Sequence, residues 1–252
     1  MNFRILFALP FVVLSSLLTC TNSELRIVKG NKVTNIESMP YVVSISFVIV
    51  GDYCAGSIVT ERFVLTAAHC LKDYEKIYIT VIAGVTDRRE TGQRRKVQKK
   101  FIPNSYKNNK RFMDIGMIKV LTPFELGPTV NTIPLCSSST TLTPDTEMQI
   151  SGWGKLGKYH LTQPNTLRTT VVSIKKKEFC RTRYRLTEEM FCATGDGTDG
   201  CEGDSGTAGV VNDQLCGVLI GGRGCANPKN PGVYTNVNNI TVRSFIQESM
   251  NC

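Results

Sequence analysis

Between Ile27 and Val237 the apolar and β-branched residues fall into short runs, Val42-Val-Ser-Ile-Ser-Phe47 and Ile77-Tyr-Ile-Thr-Val-Ile82 among them, separated by Gly, Pro and Asn. Runs of this length between turn residues predict strands, and a chain made of many of them is all-β. Near the C-terminus the period changes. Val242, Phe245, Ile246 and Met250 recur at helical spacing, which predicts a final helix whose apolar face packs on the strands, capped by Asn239 or Thr241. Asn239-Ile-Thr241 also forms a glycosylation sequon. No linker interrupts the strand pattern, so the 252 residues read as one unit of two similar halves.

The first stretch stands apart from that pattern. Arg4 precedes an apolar run from Ile5 to Leu18 that is too short, and too soon followed by polar residues, to span a membrane. Residues 1–20 read as a secretory signal peptide, with the cleavage position open between Ser15 and Ser23 and the fate of Cys20 open with it. The expected location is secreted and extracellular. In that oxidising setting the ten cysteines are expected as disulfides, and no spacing suggests a metal site or another cofactor. The net charge is +9, with basic residues gathered from Arg88 to Lys100 and from Lys175 to Arg185. Such runs are ordinarily solvated faces, and the first, read as a surface loop, could also hold an acidic partner or a sulfated glycan. No aromatic interleaving points to nucleic acid.

Candidate chemistry lies in Asp199-Gly-Cys-Glu-Gly-Asp-Ser-Gly206, a serine among glycines whose bare N–H groups could receive an oxyanion. Alone, the segment could equally be an ordinary turn. Leu65-Thr-Ala-Ala-His-Cys70 adds a base, His69, and Asp114-Ile-Gly-Met-Ile-Lys119 adds an acid. A serine hydroxyl becomes nucleophilic when imidazole takes its proton, and an acid orients the imidazole. The other histidine, His160, lies in a polar stretch and reads as solvated.

In the order His, Asp, Ser, these segments resemble the trypsin/chymotrypsin family of serine endopeptidases. So do Arg26-Ile-Val-Lys-Gly30, Ser151-Gly-Trp-Gly154, Met190-Phe-Cys-Ala193 and Pro231-Gly-Val-Tyr-Thr235, from Ile27 to the C-terminus. The resemblance implies two six-stranded antiparallel β-barrels, the first carrying His69 and Asp114 and the second Ser205, with the active site between them. It implies an acyl-enzyme mechanism, with the Gly203 and Ser205 N–H groups as oxyanion hole. Residues 21–26 resemble an activation peptide cut after Arg26, and 27–252 a peptidase domain. In the family the freed ammonium, here of Ile27, pairs with the acid before the serine, here Asp204. The pocket floor falls on Asp199, with Gly200, Gly222 and Gly232 keeping the walls open, which implies cleavage after Arg or Lys. The implied partners are protein or peptide substrates, an activating protease and protein inhibitors. The implied disulfides are Cys54–Cys70, Cys180–Cys192 and Cys201–Cys225. The remaining cysteines do not match the family's commonest pairs: Cys136 is expected with Cys216, leaving Cys252 free or linked to another chain, or a retained Cys20 tethers to Cys136.

Several positions depart from the family. Thr207-Ala208 stands where the serine motif usually continues with Gly-Pro, and Ile220-Gly221-Gly222 stands for Ser-Trp-Gly. Ile220 is expected to deprive Asp114 of a hydrogen bond, and Gly221 to remove a wall for substrate residues upstream of the scissile bond and loosen the strand. Val85 and Gln93 stand where calcium-binding trypsins have carboxylates, so no calcium site is expected. The competing reading is a catalytically weak or silent homologue that acts as a binding or regulatory protein.

Overall fold

A computed structural model describes residues 30–48, 53–107, 111–157, 161–225 and 227–252. The signal and activation segments, Cys20, Arg26, Ile27 and His160 lie outside the described residues.

After a two-residue strand β1 (Asn31–Lys32), the first half forms β2 (Val42–Phe47), β3 (Tyr53–Thr60), β4 (Phe63–Thr66), β5 (Ile79–Ala83), β6 (Gln93–Phe101) and β7 (Gly116–Val120). These close a six-stranded barrel in the order β2-β3-β4-β7-β6-β5. The second half forms β8 (Glu147–Gly152), β9 (Arg168–Ile174), β10 (Met190–Thr194), β11 (Ala208–Val211), β12 (Gln214–Gly221) and β13 (Gly232–Asn236). It closes as β8-β9-β10-β13-β12-β11 through the β11–β8 pairing, and β1 adds to the start of β9. Every pairing between these strands is antiparallel, so two closed antiparallel barrels make up the fold, as the strand pattern and the resemblance led one to expect.

Period-two alternation explains the interiors. Val43, Ile45, Ile58, Val64, Val81 and Ile118 are fully buried in the first barrel, and Met148, Ile150, Val172 and Tyr234 are buried in the second. Each such aliphatic side chain contributes about 1.5–3 kcal/mol when taken from water. Two expectations need correcting. Ile77 and Tyr78 belong to a 3-10 turn, Lys76–Tyr78, and Ile77 is 73% exposed; the strand starts at Ile79. The basic cluster expected as a loop is largely strand β6, where Arg94, Lys96 and Lys99 face solvent while Val97 packs inward. Charge hid the strand because only one side chain of the nine is fully buried.

A short helix α1 (Lys177–Arg181) precedes β10 and the chain ends in α2 (Ile240–Met250). Asn239 caps α2, its Oδ1 accepting from the N–H groups of Thr241 at 3.0 Å and Val242 at 3.4 Å. Val242 and Ile246 are buried beneath the helix. Among the described residues there are four disulfides, Cys54–Cys70, Cys136–Cys216, Cys180–Cys192 and Cys201–Cys225, and Cys252 is free and exposed. No described helix is long and apolar enough to cross a membrane.

A clasp joins the barrels. The Leu167 N–H donates to Thr86 O at 2.6 Å, the Arg88 N–H to Asn165 O at 3.0 Å, and the indole of Trp153 to Thr86 O at 3.1 Å. Arg88, placed by its sequence in a solvated run, is instead 7% exposed; its guanidinium donates to Gln163 Oε1 at 3.1 Å and Pro164 O at 2.8 Å.

Candidate active site at the junction of the barrels

His69 sits in a 3-10 turn, Ala68–Cys70, that leaves the end of β4 and is pinned by the Cys54–Cys70 bridge. Asp114 precedes β7, which pairs with β4, so the two residues come from neighbouring strand ends of the first barrel. Asp114 is 1% exposed and accepts twice from His69: its Oδ1 from the backbone N–H at 2.9 Å and its Oδ2 from Nδ1 at 2.8 Å. This fixes the ring and puts its proton on Nδ1, leaving Nε2 as the basic atom. Thr235 Oγ holds the Asp114 carbonyl from the second barrel at 2.9 Å. Nε2 lies 3.7 Å from Cys70 Sγ and, among the described residues, makes no hydrogen bond with Ser205, a contact that commonly tightens only when substrate binds.

Ser205 enters from the turn before β11. Its carbonyl accepts from the Ala55 N–H on β3 at 2.8 Å, so the backbone of one barrel anchors the nucleophile segment of the other. Gly203 has φ +98°, and a Cβ there would lie 2.4 Å from the Gln163 amide, so glycine alone fits. Among the described residues the N–H groups of Gly203 and Ser205 are not committed to any acceptor. Two residues on, Thr207 stands where the family usually has glycine: it is 1% exposed and its hydroxyl donates to Ser151 O, a bond glycine could not make.

A cavity of about 470 Å³ brings His69, Asp114, Ser205 and Asp199 together, with Gly222 and Gly232 on its walls. Asp199 is 2% exposed and accepts from the Gly200 N–H at 2.8 Å and the Gly232 N–H at 3.1 Å. Burial outweighs these two donors and pushes its carboxyl up to about 7. Asp204 lies apart from the cavity lining, fully buried in a cradle where a Cβ on Gly154 would stand 2.2 Å from its Oδ2. It accepts from the N–H groups of Gly154 at 2.7 Å and Cys201 at 2.9 Å, yet burial still pushes it up to about 6. Of metal-ligating residue types, Cys54, His69 and Cys70 cluster, but their two sulfurs form a disulfide and offer no thiolate.

Among the described residues His69 alone donates to the Asp114 carboxylate, and no side chain supplies the donor that the family's serine gives there. Ile220 is 1% exposed and belongs to the apolar core, and both Asp114 oxygens remain partnered by His69. At Gly221 the expected gap is filled. Arg111 lies across it, donating to Ile220 O, and a Cβ on Gly221, whose φ is +125°, would meet the guanidinium at 2.1 Å. A cation therefore occupies the place where the resemblance expects an indole wall, and it ties the strand down. Sequence reasoning missed Arg111 and Gln163, because nothing local marks either; the only signal was the paired oddity of a glycine at 221 and a long side chain three residues before Asp114.

The match to known proteins agrees with this arrangement. The family described as Trypsin matches residues 27–245. The chain is 36% identical to Seminase of Drosophila melanogaster, over 88% of this chain and 81% of that protein. It is 35% identical to Hypodermin-B of Hypoderma lineatum (89% and 87%) and 32% identical to Trypsin of Sarcophaga bullata (96% and 98%). With two closed antiparallel barrels meeting at a Ser, His and Asp cavity, the chain belongs to the trypsin family and is a trypsin-like serine endopeptidase, a hydrolase.

Proposed function

We propose that the chain hydrolyses peptide bonds after Arg or Lys, with Ser205 as nucleophile, His69 as base and acid, and Asp114 as the group that orients His69. The observation that carries this reading is the single cavity holding an Asp114-bound His69, Ser205 and a buried Asp199. His69 Nε2 takes the Ser205 proton as Oγ attacks the carbonyl, the Gly203 and Ser205 N–H groups receive the oxyanion, and Nε2 returns the proton to the leaving amine. Water then repeats the sequence on the acyl-enzyme. Asp199 gives the cationic side chain a partner.

The chain is made as a secreted zymogen on this reading: residues 1–20 are removed, and a cut after Arg26 frees Ile27 to pair with Asp204. The caged carboxylate supports this, since burial without a cation is costly. The exposed Arg94, Lys96 and Lys99 on β6 support an added docking face for an acidic partner or a sulfated glycan, which retention on immobilised heparin beyond that of the triple Ala variant tests. The decisive experiment for the enzyme is to cut after Arg26 and add a fluorophosphonate probe and Arg and Lys esters. We expect labelling and turnover, both abolished by Ser205→Ala; a folded, cut protein that does neither is the silent homologue instead.

A further inference from the structure

The cavity beneath Ser205 does not end at Gly222. Arg111 and Gly222 line it and also line a second cavity of about 410 Å³, whose other walls include Tyr184, Arg185 and Arg223. Three arginines thus surround one recess. Their anchoring differs and is partly fixed. Arg111 is held by its bond to Ile220 O, which Gly221 permits by lacking a side chain. Arg223 has its backbone N–H on the Tyr184 hydroxyl at 3.1 Å and its guanidinium 5.6 Å from the centre of that ring, while the same hydroxyl donates to Pro231 O at 2.8 Å. Arg111, Arg185 and Arg223 are all solvent-exposed, and among the described residues none forms an ion pair with a carboxylate. Among the described residues no Asp or Glu lines this second cavity, and the acids of the first are Asp199 at its floor, Asp114 behind His69, and the exposed Glu202.

The direction in which a substrate crosses this surface follows from proton transfer. His69 must hand its proton to the leaving amine, and its Nε2 faces Cys70 Sγ, so the downstream half of the substrate departs on the Cys54–Cys70 side. The upstream half then lies along Ile220, Gly221 and Gly222, toward the arginines. We propose that Arg111, Arg185 and Arg223 form an anion-selecting subsite, so that the preferred substrate carries Asp or Glu two to four residues upstream of the Arg or Lys bond. Two opposite demands are then met within one cleft, a cation at the Asp199 floor and a carboxylate at the guanidinium recess. Arg suits the role because its planar fork binds a carboxylate through two parallel N–H donors. The inference rests on the proposed cleavage after Arg or Lys.

The test compares peptides with a fixed Arg before the scissile bond and Asp or Asn at each of the three upstream positions and, as controls, at the first three downstream positions. With the cut enzyme, the Asp:Asn ratio of kcat/KM should reach about fivefold at one or more upstream positions and stay near one downstream, as expected for a solvent-accessible ion pair. The ratio should shrink toward one at about 0.5 M salt. Because it is a ratio within one preparation, the fraction of folded or activated protein cancels. Arg111→Leu and Arg223→Leu should each lower it, and Arg111→Lys should retain part of it. Arg peptides cleaved equally well with Asp or Asn upstream would overturn this subsite while leaving the Arg reading intact. An acid preference only downstream would overturn it too, and absence of any cleavage would sink both readings together.

Discussion

Asp199 is held up to about 7 by burial even with two N–H groups donating to it, so an empty site carries this carboxyl partly protonated near neutrality. A cationic ligand needs the ionised form. Binding of a small amidine should therefore weaken as pH falls below about 7, approaching tenfold per pH unit, and should release about half a proton near pH 7 but none near pH 9. Calorimetry on Ser205→Ala in two buffers of different ionisation enthalpy measures this directly, and pH-independent affinity would mean that the cation does not reach Asp199. Asp199→Ser should reduce turnover of Arg esters far more than labelling of Ser205 by an uncharged phosphonate, because only the pocket floor changes; equal loss of both would make Asp199 a structural residue. These residues were legible because each sits in a short segment with its own signature. Arg111 was not, since its significance depends on Gly221, more than a hundred residues away, and only the fold brings a side chain to the space a missing side chain leaves.

Among the elements, the segment from Thr86 to Arg88 holds the second barrel through Leu167, Asn165, Trp153, Gln163 and Pro164. Gln163 in turn packs against Gly203, so the clasp also buttresses the turn that presents two candidate oxyanion donors. Arg88→Met keeps the apolar stem and removes the donors, leaving Gln163 Oε1 and Pro164 O without them. We expect a loss of about 1.5–3 kcal/mol in urea unfolding, read as a lower midpoint at unchanged slope. An unchanged midpoint would place the clasp's strength in its backbone bonds and Trp153. Sequence reasoning found the all-β pattern from short apolar and β-branched runs, β2 and most of β5 among them, and found the C-terminal helix with Asn239 as one of two candidate caps. It misjudged the elements where local chemistry and tertiary role disagree: β6, whose exposed charges outnumber its buried positions, and Arg88, a cation inside a basic run that the fold draws into the interface.

At the scale of the whole molecule, the two barrels bury Asp204 completely, and the proposed activation gives that carboxylate a cation. Its pKa in the uncut chain is pushed up from 3.8 to about 6 by burial, against the Gly154 and Cys201 N–H groups and the nearby charge of Arg88. The folded state therefore holds this proton more tightly than the unfolded chain, so stability falls as pH rises from about 4 to about 6 and the full cost remains above that window. At roughly 1.4 kcal/mol per pKa unit the cost is about 3 kcal/mol. An ammonium beside Asp204 reverses the sign: its pair favours the ionised carboxylate and is present below the amine's own titration and lost above it. Asp199, pushed up to about 7, adds the same downward slope with rising pH to the cut and uncut chains alike and so cancels in their difference. We predict that, with Ser205→Ala to prevent self-digestion, urea unfolding at pH 5 and pH 7 shows the uncut chain losing more stability between the two than the cut chain. Asp204→Asn in the uncut chain should remove the excess of that loss over the cut chain, while in the cut chain it should destabilise by stranding the ammonium. Identical pH dependence of the cut and uncut proteins would mean that the new N-terminus never reaches Asp204, and activation would then require another mechanism.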